Sequence, residues 1–161
     1  MSIKALLTGL MLGAMPVLAL AQTAQPPAQQ TTPNLTPAQQ AQLEQQNVQM
    51  AEAAMQIIKM IDQNDIGTVW DQASNIARQA STRQDFIRQL TSDRATLGAP
   101  GSRTLAGITR TRSNGENIPA GFYVNISYAT QFAKMDKPVR ELVSYHLDDD
   151  RIWRVAGYTL R

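Results

Sequence analysis

No cysteine occurs in the 161 residues, and histidine occurs once, at His146. The first absence excludes disulfide support, thiolate metal sites and lipidation at a processed cysteine, so packing has to hold the fold. The second means that any imidazole base or imidazole metal ligand must be His146. No Gly-x-Ser-x-Gly elbow surrounds a serine, so a nucleophilic triad would also have to recruit that histidine. Gly98-Ala99-Pro100-Gly101 is rich in turn residues, but it follows a helical pattern, precedes a strand pattern and is not followed by lysine. That is the wrong order for a phosphate cradle, and the stretch reads as a connection. An excess of charge of one sign is missing too, with 15 basic residues against 13 acidic ones. Binding driven by neutralising nucleic-acid phosphates or an anionic membrane surface is therefore not expected.

What is present begins with a leader. Lys4 precedes an apolar run from Ala5 to Leu20, and Ala19-Leu20-Ala21 supplies a small-x-small cleavage site. This pattern predicts a secretory signal peptide over residues 1–21, with the mature chain starting at Gln22 in the periplasm. The run is short for a membrane span, and a polar Gln/Pro-rich stretch follows it, so no membrane insertion is expected after cleavage. Lys4 is the leader's only charged side chain, so the remainder is close to neutral. Residues 22–35 are mostly Gln, Thr, Pro and Ala, too poor in large apolar groups to offset ordering entropy, and read as a disordered arm. A single domain is expected over residues 36–161.

Thr36-Pro37-Ala38-Gln39 has the form of a capping box with proline at the first helical position. The helix it opens should run to about Asp62, with Met50, Ala54, Ile57, Ile58 and Ile61 as its burial stripe and a Gln/Ala-rich first half that protrudes. Asn64-Asp65 breaks the pattern. A second helix is expected over 66–80, with Val69, Trp70, Ala73 and Ala77 on one side, and a third follows Ser81 or Thr82 and ends at Gly98. Beyond Ser102 the chain turns rich in Thr, Val, Ile and Tyr. Strands are expected over 103–112, 122–132, 139–147 and 152–160. Phe122, Val124, Ile126, Tyr128 and Phe132 should share one face of the second strand. Helices followed by about four antiparallel strands indicate an α+β fold, N-terminal helices packed on a curved sheet in the cystatin-like or NTF2-like manner.

His146 with Asp148, Asp149 and Asp150 is the only grouping with metal-ligand chemistry, yet its spacing fits no established motif, and a solvated acidic turn is the favoured reading. A cone-shaped fold could place an aspartate base and a tyrosine donor in its interior, for which Asp71, Tyr123, Tyr128 and Tyr145 are the candidates. Trp70 and Trp153 read as core. Arg78, Arg83, Arg88, Arg94, Arg103, Arg110 and Arg112 read as a solvated face with local ion pairs, or alternatively as a basic patch for an acidic protein.

Trp70 with Ser74, Arg94 with Leu97-Gly98, Ser102-Arg103, Gly121-Phe122-Tyr123-Val124, Phe132, Glu141 and the closing Trp153-Arg154-Val155-Ala156-Gly157-Tyr158 form a pattern. It resembles the exported bacterial domain-of-unknown-function 4019 family from about Ala51 to Arg161. The resemblance implies export and a small helix-plus-sheet domain, and it carries no catalytic residue. An internal ion-pair framework accounts for Arg94, Arg103 and Glu141 as well as a site would.

With no catalytic, cofactor or metal residue assigned, the expected function is a non-enzymatic, protein-binding module. Its concrete form is an immunity protein that inhibits a periplasm-targeted antibacterial toxin. Interstrand loops are the expected contacts: Asn114, Gly115, Glu116 and Asn117; Lys134, Asp136 and Lys137; and Asp148, Asp149, Asp150 and Arg151. The alternatives are a small-ligand or isomerase-like pocket between sheet and helices, and a structural or envelope-stress role in which the Gln-rich helix pairs with a copy of itself.

Overall fold

A computed structural model describes residues 35–161; the leader and nearly all of the Gln/Pro-rich arm lie outside the described residues. Four helices come first, α1 (Pro37–Asp62), α2 (Ile66–Asp71), α3 (Asn75–Ala80) and α4 (Arg83–Leu97). Four strands follow, β1 (Pro100–Ser113), β2 (Gly121–Phe132), β3 (Val139–Leu147) and β4 (Trp153–Leu160). The strands pair antiparallel in the order β1-β2-β3-β4. The fold is α+β, as the residue patterns require. Among the described residues no helix is long and apolar enough to cross a membrane.

Local chemistry explains most boundaries. At the start of α1 the Thr36 side chain accepts from the Gln39 amide while the Gln39 side chain accepts from the Thr36 amide, with Pro37 in the first turn. Met50, Ala54, Ile58 and Ile61 are buried, Ile57 is half-buried, and no described residue before Met50 is buried. Asn64 takes the left-handed conformation (φ 62°) that asparagine tolerates, and ends the helix. Thr82 caps α4 by accepting from the Asp85 amide. At its other end the Lys134 Nζ and amide donate to the Ala95 and Leu97 carbonyls.

The helix expected over 66–80 is two helices. Ser74 adopts an extended ψ of 150°, and its amide donates to the Val155 carbonyl of β4 at 2.8 Å. That tertiary bond replaces the helical one to Trp70, whose carbonyl accepts from Ala73 instead. It also occupies one carbonyl of the β4 edge. The other edge, β1, is blunted by two register irregularities and by arginine side chains.

Directly paired residues share a sheet face, and the register therefore sorts the two faces. Ile108, Ile126, Val143 and Tyr158 align across the sheet, as do Arg110, Val124, Tyr145 and Val155. This face packs on Met50, Ala54, Ile58, Ile61, Ile66, Val69 and Leu90 of the helices. Alternation in β2 matches expectation at Val124, Ile126, Tyr128 and Phe132 but not at Phe122, which is 51% exposed. Phe122 has the core parity, but it lies where no helix covers the strand.

Candidate functional site

Antiparallel order places the β1–β2 and β3–β4 turns at one end of the sheet and the β2–β3 turn at the other. Asn114, Gly115, Glu116 and Asn117 therefore share an end with Asp148, Asp149, Asp150 and Arg151, while Lys134, Asp136 and Lys137 lie at the opposite end. One end-on partner can reach the first two loops together, but not all three.

The two ends differ in chemistry. Near the β2–β3 end Glu141 is fully buried, and it accepts four bonds. Arg94 (3.0 Å) and the Tyr158 hydroxyl (2.5 Å) donate to Oε1; Arg103 Nε (2.6 Å) and the Thr130 hydroxyl donate to Oε2. These use every lone-pair site a carboxylate has. Asp62, at the end of α1, pairs with both arginines, so two cations and two anions close a neutral cluster. Burial opposes ionisation of Glu141, but bonds from Arg103, Thr130 and Tyr158 outweigh it and hold the carboxyl below the usual range. Burial and the Glu141 charge push the Tyr158 phenol up. This is the internal framework expected for Arg94, Arg103 and Glu141. The residue patterns do not assign Asp62, Thr130 or Tyr158 to this framework. The available signal was parity, since Thr130 and Glu141 interrupt otherwise apolar faces of β2 and β3.

At the hairpin end, on the sheet face opposite the core and beside the start of α3, a second lattice forms. Asp148 Oδ1 accepts from the Ser74 hydroxyl (2.5 Å) and from His146 Nδ1 (2.8 Å), and its Oδ2 accepts from Arg154 (3.2 Å). Burial raises the Asp148 carboxyl, but these bonds outweigh it and the net shift is downward. Arg154 also forks onto Asp150 at 2.8 Å. A serine, a histidine and an aspartate thus meet, but in an order that cannot relay a proton from serine. Both Ser74 and His146 donate to the carboxylate, and His146 Nε2 is buried without a partner. A Cβ on Gly121 would lie 2.2 Å from that Nε2. Asp148 and Asp150 are engaged by Arg154, and among the described residues no cluster of three metal-ligating side chains occurs. Asp148 is therefore a strut of the β3–β4 turn, while Asp149 and Arg151 remain exposed.

The aspartate and tyrosines suggested for cone chemistry are not brought together. Asp71 is half-exposed on α2, paired with Arg83 at 2.9 Å; the hydrogen bond from Arg83 lowers its pKa, contrary to the expected rise through burial. Tyr123 packs beside His146 on the opposite face and donates to the Pro119 carbonyl. Tyr128 donates to the Ala51 carbonyl, and Tyr145 has a buried hydroxyl without a partner.

The arginine-rich middle also separates into kinds. Arg83 and Arg88 form exposed ion pairs with Asp71 and Asp85, and Arg94 and Arg103 belong to the buried cluster. Arg110 and Arg112 form no ion pair among the described residues. Their side of the hairpin end holds a depression of about 420 Å³ to which Phe122, Leu147 and Trp153 contribute. Trp153 packs against the core as expected while also lining this surface. Ile118 and Ile152, beside the two turns, are 46% and 51% exposed.

A family model described as protein of unknown function (DUF4019) matches residues 53–158. No curated protein matches the chain.

Proposed function

We propose, from the premise that the chain belongs to the DUF4019 family and so inherits no assigned activity, that it is a non-enzymatic periplasmic protein-binding module working through its hairpin end. One observation carries this reading. Phe122, Ile118 and Ile152, three of the largest exposed apolar side chains, gather at the end shared by two of the three proposed contact loops. Exposed apolar groups ringed by polar loops are the ordinary composition of a protein interface. The Asp148 lattice beneath supports the reading, because a rigid turn reduces the entropy lost on association. Inhibition of an antibacterial toxin is its most concrete form, with the hairpin end covering the toxin's active site.

The test compares the two ends. Mature protein is used to capture partners from envelope extract, and affinity for the captured protein is then measured with purified variants. Phe122→Ser combined with Ile152→Ser should weaken binding at least tenfold, about 1.4 kcal/mol. Asp136→Lys combined with Lys137→Glu, at the other end, should leave it within twofold. Equal effects from both pairs, or none from either, would overturn the assignment.

A further inference from the structure

The depression at the hairpin end crosses the whole sheet, with Arg110 and Arg112 on β1, Phe122 on β2, Leu147 on β3 and Trp153 on β4. Only strand residues line it, so it has a floor and margins but no roof. Neither arginine forms an ion pair among the described residues. Arg110 is oriented by Asn47 Oδ1 (2.7 Å) and Gln46 Oε1 (2.9 Å), neutral amides that aim the guanidinium without cancelling its charge. Glu44, on the same helix, accepts from Asn47 Nδ2 instead. Arg112 lies over the Phe122 ring, 5.4 Å from its centroid, which leaves its N–H edge available.

The geometry points to a binding site for an acidic, apolar peptide segment of the partner protein, and it rests on the protein-binding reading above. An aromatic or aliphatic side chain of the partner covers Phe122, Leu147 and Trp153, and flanking carboxylates meet Arg110 and Arg112. The missing roof selects this occupant, since a free small ligand would be covered on one side only, whereas small-molecule sites bury most of their ligand. A side chain projecting from a folded partner brings its own cover. The exposed Ile118 and Ile152 extend the contact beyond the depression. A second copy docked depression to depression would set the two arginine pairs face to face. Residues 22–34 are a poor fit because they contain no acid and no apolar side chain larger than alanine or proline.

A fluorescein-labelled peptide alternating aspartate with leucine and phenylalanine, and its lysine-for-aspartate counterpart, provide the probe, with fluorescence anisotropy as the readout. The mature chain should bind the acidic peptide at least tenfold more tightly, and Arg110→Glu with Arg112→Glu should abolish or reverse that preference. Arg112→Gln alone, checked for an unchanged melting curve, should reduce it and guards against a misfolded double variant. Equal binding of the two peptides, or a preference that survives reversal of both arginines, would overturn the site. So would displacement of the acidic peptide by dodecanoate, which would assign the depression to a fatty acid. A tenfold gain on deleting residues 22–34 would make the chain's own arm the occupant, with the same consequence. In the envelope capture, a partner retained by the doubly reversed variant would overturn this site and leave the protein-binding reading standing. An acidic-peptide preference with no captured partner would do the opposite.

Discussion

Two pairs of arginines lie on or against one sheet face, and its two ends treat them in opposite ways. Arg94 and Arg103 are closed in by Asp62 and Glu141, with Thr130 and Tyr158 completing the carboxylate's hydrogen bonds. Arg110 and Arg112 face a shallow apolar surface, and among the described residues the only polar groups bonded to them are two amides on Arg110. Residue type does not separate the pairs, since all four are arginines on or against the core side of the sheet. What separates them is whether burial has forced a counter-charge. A buried cation without an anion costs several kcal/mol, roughly, so the closed end had to be neutral. The open end is wet, and its charges are available to something else.

The sharpest break in this comparison is Glu141→Ala. It strands two arginines beside Asp62 and removes the acceptor of four bonds, so it should cost about 3–5 kcal/mol in chemical denaturation. Acid should reproduce part of that loss reversibly. Glu141 and Asp148 are both held below the ordinary carboxylate range in the folded chain. The stability they supply is therefore complete above the unfolded-state value of about 4, and it is lost as pH falls through the lower folded-state value. Unfolding free energy should stay flat from neutral pH to about 5 and fall below about 4, with a shallower fall in Glu141→Gln.

Gly121→Ala probes the rigid layer on the outer face of the hairpin end. Gly121 has φ +146°, a conformation that side chains disfavour, and its missing Cβ makes room for His146 Nε2. The substitution should cost about 1–3 kcal/mol from backbone strain alone, with displacement of the histidine added. Loss of the Tyr123–His146 contact in aromatic NMR shifts would locate the damage. Full stability would mean that His146 yields easily and that the lattice is softer than its bonds imply.

The sequence made the elements legible because their signals are local. The Thr36 capping box, the Met50-to-Ile61 stripe, the Thr82 cap and the strand at 139–147 depend on spacings within a few residues. The break at Ser74 was hidden because its cause, the Val155 carbonyl and the Asp148 carboxylate, lies more than seventy residues away. Asp62 looked like the polar end of a helix for the same reason. Parity puts Phe122 on the same face as Val124 and Ile126, but it does not say how far along a strand the helices reach. The loops were legible as loops. That Asp148 is a strut, and that Lys134 caps α4, came only with the packing.

The smallest expected effect is the one that separates the two arginine pairs most cleanly. Arg110→Ala and Arg112→Ala remove exposed side chains that, among the described residues, contact amides and an aromatic face rather than an anion, so each should change stability by no more than about 0.5 kcal/mol. Arg94→Ala and Arg103→Ala delete the same chemical group from a buried cluster and should each cost about 3–5 kcal/mol. Denaturation of all four variants at one pH and salt concentration decides the matter. If Arg110 and Arg112 prove as costly as the buried pair, their charges are compensated within the protein and the hairpin end has no unspent electrostatics to offer a partner. If all four are cheap, the Glu141 cluster tolerates loss of either cation, and the difference between the ends is one of exposure rather than of energy.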